Sequence, residues 1–247
     1  MKKIIKNIFK VFGLNVSRIN PEIKNLSFDD IYKLKIKKKP IIFDVGANQG
    51  QSIERFKKIF DKPIIHAFEP IKFEFEKLKD KYKNDENVIL NNFAVGDKEE
   101  KKQFYITAKT GTSSFNKLTP NTNWLKTRSK QFNISLESYT KEVVEVNVIT
   151  LNKYCEDNQI NEIDILKIDT QGYEDKVLMG CKKILEKNSI SAVETEITFD
   201  NVYEKHFSFS DLEKFLLPHN FRFCGINLAN NNLFSGIVFF ADLLYFN

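Results

Sequence analysis

The segment from Asp44 to Gly50 constrains the fold more than any other part of the chain. It reads Asp-Val-Gly-Ala-Asn-Gln-Gly, follows the apolar run 41–43 and precedes a helical pattern that begins near Gln51. A strand that turns through glycines into a helix is typical of the nucleotide-binding corner of a doubly wound α/β sheet. Apolar runs and helical patterns continue to alternate. We therefore predict a mostly parallel sheet with helices on both faces and an antiparallel last strand.

The spacing inside this segment favours a cationic ligand over a dinucleotide. A dinucleotide site needs G-x-G-x-x-G so that the backbone can approach a pyrophosphate, whereas three residues separate Gly46 from Gly50. Asp44 precedes the first glycine by two residues, where its charge would repel phosphate and attract a cation. S-adenosylmethionine carries an amino group and a sulfonium and no phosphate, so we expect this cofactor. Asp44 would face its amino group, and both glycines would admit its methionine part.

A second acid, Glu69, ends the next predicted strand and supports the same interpretation. At that position a carboxylate can accept hydrogen bonds from both ribose hydroxyls of an adenosine. Asn48 could bind the carboxylate end of the cofactor or cap the following helix. Asn92 and Phe93 follow the third strand, where an adenine would stack, although Phe93 could equally belong to the core. The alternative for the whole pattern is a chance glycine turn beside a solvated acid.

Four sequence blocks resemble the FkbM-type S-adenosylmethionine-dependent methyltransferases. They are Phe-Asp-Val-Gly-Ala-Asn-x-Gly (43–50), Ala-Phe-Glu-Pro (67–70), Asn-Phe-Ala-Val-Gly-Asp (92–97) and Ile-Asp-Ile-Leu-Lys-Ile-Asp-Thr-Gln-Gly-Tyr-Glu (163–174). The last block is the most specific. The resemblance implies a Rossmann-like methyltransferase sheet and methyl transfer to oxygen, commonly to a sugar hydroxyl of a glycan, glycolipid or glycosylated metabolite. Many relatives have Val-Glu-Gly after the strand aspartate, whereas this chain has Thr-Gln-Gly at 170–172.

Four residues are candidates for the catalytic chemistry, which must remove a proton from a poorly nucleophilic hydroxyl. Asp169 ends the fourth strand at the switch point of the sheet and could be a base, a metal ligand or only a helix cap. Lys167 shares its face and could keep it ionised. Glu196, with Asp169, could chelate a divalent cation such as Mg²⁺ or orient a hydroxyl; it could also form a surface pair with Glu194. His206 lies in the next loop and could be a general base, although lone loop histidines are often not catalytic.

Composition limits the partners and the compartment. The net charge of +5 permits an anionic acceptor without demanding nucleic acid, and the fourth-strand block lacks the Asn/Asp-Pro-Pro-Tyr signature of base methylation. We expect a small-molecule or glycan acceptor and no nucleic acid. A protein substrate, another small molecule, or a non-catalytic glycan-binding role remain alternatives. The three cysteines are widely spaced, which predicts neither zinc nor disulfides and favours a cytoplasmic location.

The domain prediction places a helical lead-in at residues 1–40 and the methyltransferase domain at 41–247. Lysines interrupt the apolar spacing of residues 1–16, so this helix could pack on the domain or lie on an anionic membrane surface, but it cannot span one. Residues 107–141 predict a long loop or cover in which Trp124 contacts an acceptor or anchors the loop.

The periodicity predicts strands at 41–45, 64–68, 88–93, 101–107, 143–149, 163–168, 190–196, 221–226 and 236–245, and helices at 51–60, 71–83, 150–158, 174–186 and 211–219, the last capped by Ser210.

Overall fold

The computed structural model describes residues 26–228 and 238–247. The predicted amphipathic helix at 1–16, with its possible membrane contact, lies outside the described residues. Within the described ranges no helix combines the length and the apolar character that crossing a membrane requires. The domain boundary at residue 40 and the cytoplasmic location stay predictions.

The described chain alternates strands and helices. In chain order the strands are β1 (Ile41–Val45), β2 (Ile64–Phe68), β3 (Val88–Asn91), β4 (Ala94–Val95), β5 (Glu100–Thr107), β6 (Thr140–Ile149), β7 (Ile163–Ile168), β8 (Ile190–Thr198), β9 (Arg222–Asn227) and β10 (Phe240–Phe246). The helices are α1 (Phe28–Lys35), α2 (Gln51–Ile59), α3 (Lys72–Tyr82), α4 (Asn123–Phe132), α5 (Leu151–Asp157), α6 (Glu174–Gly180), α7 (Lys182–Glu186) and α8 (Phe209–Leu216).

Among the described residues, seven strands form the central sheet in the order β3-β2-β1-β7-β8-β10-β9. Strands β3, β2, β1, β7 and β8 pair in parallel, and β10 is antiparallel to both β8 and β9. The order reverses between β1 and β7, which is the switch point where ligands bind in open α/β sheets. The predicted mostly parallel sheet with an antiparallel last strand is confirmed.

The two faces of the sheet bury separate hydrophobic clusters because neighbouring residues of a strand point to opposite sides. Phe43 and Leu166 pack into one cluster, together with Leu178 of α6. Ile42 and Ile165 pack into the other, together with Phe56 of α2. Helices therefore cover both faces, as predicted, and strands β1 and β7 are held rigidly at the centre.

A second, three-stranded sheet in the order β4-β6-β5 stands beside the carboxyl ends of the central strands. Strands β5 and β6 were predicted, whereas the two-residue strand β4 is too short to give a periodic signal. The residues between β5 and β6, 108–139, are called the cover below. The cover contains a 3₁₀ turn, Thr110–Thr112, and helix α4, whose N-cap is Thr122. The Ser-, Thr- and Asn-rich composition predicts a long loop or cover here, without helix α4.

Two predicted helix details were wrong. The helix predicted at 174–186 is two helices, because Gly180 packs against the backbone of Gly96 and the chain turns at Cys181. A Cβ at Gly180 would lie 2.0 Å from the carbonyl oxygen of Gly96. The cap of α8 is Ser208 rather than Ser210: its hydroxyl accepts from the Asp211 amide, and the Asp211 side chain returns the bond in a capping box.

Candidate active site

Gly46 follows β1 and packs against Asp169, the residue that follows β7, at the switch point of the sheet. Its φ is +90°, and a Cβ there would lie 2.0 Å from the carbonyl oxygen of Asp169. The Asp169 amide donates to Val45 O (2.9 Å), and the Gly46 amide donates to Phe68 O (3.0 Å). Only glycine permits both this φ and this approach, so the first glycine of the turn is required by the backbone itself.

Gly50 and Asn48, the other two predicted binding residues of this turn, have different roles. Gly50, with φ +81°, is the N-cap of α2 and packs against Tyr82, and it does not line the cavity described below. Asn48 therefore does not cap the helix. It adopts a φ of 44° and lines the cavity, and its Oδ1 lies 3.1 Å from the hydroxyl of Thr110 in the cover. The turn thus touches the cover through Asn48.

Glu69 is buried at the end of β2 with its carboxylate held by backbone amides. The Asn48 amide donates to Oε2 (2.8 Å) and the Ile71 amide donates to Oε1 (2.7 Å). Burial raises the pKa of Glu69 to about 7, and the two backbone hydrogen bonds oppose that rise. The fixed carboxylate lines the cavity beside the β1 turn.

Asn92 and Phe93 lie outside the cavity lining. The side-chain Nδ2 of Asn92 donates to the carbonyl oxygens of Glu69 (3.0 Å) and Pro70 (3.3 Å), so Asn92 stabilises the loop after β2. The Phe93 ring packs near Phe68, with centroids 5.8 Å apart, as part of the core. In their place an apolar group lines this part of the cavity: Ile71, Ala94, Phe104 and Phe115.

The cavity lies at the carboxyl ends of β1, β2, β7 and β8, next to β10, and has a volume of about 430 Å³. This is within the range of roughly 300–1,000 Å³ that small-molecule sites occupy. The ionisable side chains among its described lining residues are five acids and two cations, namely Glu69, Asp169, Glu194, Glu196, Asp242, Arg55 and Lys167. Acids outnumber cations, so the cavity favours a positively charged ligand.

Lys167 lies between two aspartates on the central strands. Its Nζ is 3.3 Å from Asp169 Oδ2 and 3.7 Å from Asp44 Oδ1. Burial alone would lower the pKa of Lys167, but Asp169 and Asp44 outweigh it and raise the pKa, so the amine stays charged. Asp44 is fully buried behind the lining, where burial raises its pKa to about 6 against the opposing effect of Lys167. Neither Asp44 oxygen has a hydrogen-bond partner among the described residues.

Asp169 and Glu196 are bridged by a side chain that sequence reasoning missed. Gln171 Nε2 donates to Asp169 Oδ1 (2.8 Å) and to Glu196 Oε1 (2.7 Å), and Gln171 Oε1 accepts from the Tyr203 hydroxyl (2.8 Å). Burial, followed by repulsion from Asp169 and Asp242, raises the pKa of Glu196 well above its usual range. The Asp169 side chain is 34% exposed, and both carboxyls line the cavity.

Glu194 is not part of a surface acid pair. It is 3% exposed, accepts from Arg55 Nη1 (2.6 Å) and from the Tyr32 hydroxyl (2.7 Å), and Arg55 Nε also donates to Asp29 (2.7 Å). Burial would lower the pKa of Arg55, but the ion pair with Glu194 dominates and raises it. Helix α1, which carries Asp29 and Tyr32, is thereby held against the part of the cavity wall formed by Arg55 and Glu194.

Comparison with known proteins identifies the family of this chain. The model of the methyltransferase FkbM domain matches residues 44–223, which is more than half of the chain. The chain belongs to the FkbM methyltransferase family. It is an enzyme of the methyltransferase class, and the matched range contains the β1 turn, the Glu69 loop and the bridge between Asp169 and Glu196.

Individual relatives are distant. The 2-O-methyltransferase NoeI of Sinorhizobium fredii is 24% identical over 176 residues, covering 70% of each chain. The crystal structure of methyltransferase FkbM from Methylobacillus flagellatus aligns with a TM-score of 0.53 at 13% identity, which shows a shared fold. That alignment covers 85% of this chain and 44% of the other, so this FkbM methyltransferase spans less than half the length of that protein.

The structure brings some of the predicted FkbM site residues together and leaves others apart. Gly46, Asn48, Glu69, Lys167, Asp169 and Glu196 line the cavity. His206 is exposed in the loop after β8 and does not line it. Trp124 is buried against Tyr139 and anchors the cover. Across the described ranges no three His, Cys, Asp or Glu side chains are placed to hold a metal ion, so the expected Mg²⁺ has no support here.

Proposed function

We propose that this methyltransferase uses S-adenosylmethionine to methylate a hydroxyl oxygen of a sugar in a glycan, glycolipid or glycosylated metabolite. The observation that carries the proposal is the acid-rich cavity at the switch point of the sheet, where a strand-end carboxylate, a glycine turn and a half-buried aspartate meet. These groups suit a cofactor that has an adenosine at one end and positive charge at the other.

The residues present fit the cofactor. The Glu69 carboxylate is held on the cavity wall and can accept hydrogen bonds from ribose hydroxyls. The apolar side chains of Ile71, Ala94 and Phe115 lie beyond it and suit an adenine. On the other side, Asp169 offers negative charge to an amino group or a sulfonium, and Glu196 adds to it once it has lost its proton. When bound, the cofactor supplies the methyl group.

The acceptor's proton is assigned to Asp169 or Glu196. A sugar hydroxyl is a poor nucleophile, and a positioned base accelerates its reaction by roughly 10²–10⁴-fold. Lys167 Nζ lies 3.3 Å from Asp169 Oδ2 and orients that carboxylate at the cavity. Burial and the neighbouring acids raise the pKa of Glu196, which makes its carboxylate, once ionised, a stronger proton acceptor than an ordinary glutamate.

Two further observations support an acceptor hydroxyl outside nucleic acids. The relative from Sinorhizobium fredii is named a 2-O-methyltransferase, which is a name for transfer to oxygen. The acidic cavity would repel the phosphates of a nucleic acid, whose binding depends on neutralisation by Lys and Arg. A small-molecule or glycan acceptor is the consistent choice.

Methyl-labelled S-adenosylmethionine tests this proposal. The full chain is incubated with pools of oligosaccharides, glycolipids, peptides and RNA, and the labelled product is subjected to linkage analysis. We expect label in a methyl ether of a sugar, and at least ~10²-fold less with Asp169→Asn. Asp61→Asn, which changes an exposed carboxylate far from the cavity lining, is the control and should retain full activity. Label confined to peptide or RNA would refute the acceptor.

A further inference from the structure

The Gln171 side chain uses both of its hydrogen-bond donors and its oxygen between the candidate proton acceptors and the loop after β8. Its amide group has two hydrogens, one directed to Asp169 and one to Glu196, and its oxygen accepts from Tyr203. The opposite amide orientation would place an oxygen against two carboxylates, so the network defines the orientation. One side chain therefore fixes the directions of both carboxyls.

The backbone around Gln171 is fastened to the cover. The Ser114 hydroxyl donates to Gln171 O (2.7 Å), and Asn116 Nδ2 donates to Gly172 O (2.5 Å). Gln171 itself has a φ of 58°, which a residue with a Cβ adopts at a cost. These two cover side chains hold the strained turn in place, so the position of Gln171 depends on the cover lying against it.

Tyr203 provides a second connection to the cover. Its side chain is buried, and its hydroxyl, besides bonding to Gln171, lies 3.1 Å from the carbonyl oxygen of Thr112. The backbone of Tyr203 forms an antiparallel bridge with Leu118. A shift of the cover away from the cavity would therefore move both Tyr203 and Gln171.

We propose that Gln171 is a positioning residue that holds the Asp169 and Glu196 carboxyls side by side at the cavity, and that Tyr203 makes this arrangement depend on the cover. The proposal rests on the proposed function, because that function assigns the acceptor's proton to one of these two carboxyls. Gln171 acts through them and is not itself a proton acceptor, since an amide does not titrate in the neutral range.

The surroundings explain why a donor is needed between these carboxyls. Glu196 faces Asp169 at the end of β7, Asp242 on β10 and Glu174 on α6, and each of them disfavours its charged form. Lys167 is paired with Asp169 and Asp44. The amide hydrogen of Gln171 favours the charged form of Glu196, and without it this carboxyl would retain its proton to a higher pH.

Calorimetric titration of S-adenosylmethionine into the full chain at a series of pH values tests the inference without an acceptor. Gln171→Met keeps the length of the side chain and removes its donors. Tyr203→Phe removes the hydroxyl that lies between Gln171 Oε1 and Thr112 O of the cover, and it leaves both donors of Gln171 in place. In the wild type, affinity should rise with pH as the cavity acids lose their protons. In Gln171→Met the increase in affinity should occur about one pH unit higher than in the wild type. At high pH the dissociation constants of the variant and the wild type should agree within roughly threefold.

Tyr203→Phe should move the rise in the same direction by less, and should speed amide hydrogen exchange in residues 108–139. An unchanged pH profile in Gln171→Met, or a loss of affinity that is equal at every pH, would overturn the inference, because a packing role alone predicts one of these results. Absence of binding by the wild type at every pH would instead overturn the proposed function, and the inference with it.

Discussion

At the residue scale, two positions in the site are fixed by backbone requirements and one by long-range contacts. Gly46 and Glu69 could be predicted from local patterns, because one is a glycine directly after a strand and the other is an acid that ends a strand; the structure adds the close approach to Asp169 and the backbone amides that hold the carboxylate. Gln171 depends on Glu196 and Tyr203, which lie 25 and 32 residues away along the chain. Such contacts leave no local pattern, so the sequence indicated only that position 171 carries no charge.

Gly46→Ala should destabilise the protein and abolish cofactor binding. The new Cβ would lie 2.0 Å from the Asp169 carbonyl oxygen and would also require an unfavourable φ. We expect a loss of at least ~3 kcal/mol in the free energy of unfolding, measured by chemical denaturation. Gly111→Ala is the comparison, because its Cβ would meet only the side-chain amide of Asn48 at 3.1 Å. Equal stability of the two variants would contradict this account of the turn.

Glu69→Gln should weaken S-adenosylmethionine binding by roughly 10–100-fold with little change in fold. The substitution keeps the shape of the side chain. Its NH₂ group would point at one of the two backbone amides, so that hydrogen bond is lost, and the negative charge offered to the ribose hydroxyls is removed. Calorimetry gives the affinity, and Glu76→Gln on the exposed side of α3 is the control. Unchanged affinity in Glu69→Gln would show that this carboxylate does not bind the cofactor.

At the element scale, short elements outside the central sheet complete the cavity. Helix α1 precedes the predicted domain, yet its Tyr32 and Asp29 hold the Glu194–Arg55 pair. The central parallel strands were predicted because they are apolar runs; β7 is buried along its whole length. Helix α4 and strand β4 were not predicted: the sequence of α4 is mostly polar, and β4 is two residues long. Their structure depends on tertiary packing rather than on periodicity.

Arg55→Met should destabilise the protein by about 3–5 kcal/mol, because Glu194 would remain buried without its cation. Chemical denaturation measures the change. Lys58→Met, at an exposed position on the same helix α2, is the matched control and should change stability by less than about 0.5 kcal/mol. Similar stabilities for the two variants would show that the Glu194 pair contributes little.

At the scale of the whole molecule, the concentration of buried acids at one end of the sheet makes stability depend on pH. Burial raises the pKa of Glu69 and of Glu174 to about 7, so the folded state holds their protons above the pH at which the unfolded chain loses them. Their contribution to stability is complete at low pH and is lost as pH rises through about 7. His66, whose pKa burial lowers to about 4, acts in the opposite sense, but only below about pH 6.5.

Without cofactor, the free energy of unfolding should therefore fall as the pH rises from about 6 to about 8. Denaturant midpoints measured across this range check the slope. Glu69→Gln removes one of the titrating groups, so its slope should be shallower than that of the wild type. Stability that rises with pH across the same range would contradict the burial of these acids in a common low-dielectric region.

The central claim is that the acidic cavity of this FkbM methyltransferase binds S-adenosylmethionine. The most direct test is calorimetric titration of S-adenosylmethionine into the wild-type chain near neutral pH, with a phosphate-bearing dinucleotide as the competitor. We expect one molecule bound per chain with a dissociation constant on the order of micromolar, and no displacement by the dinucleotide. Binding of the dinucleotide in place of S-adenosylmethionine, or no binding of S-adenosylmethionine at all, would contradict it.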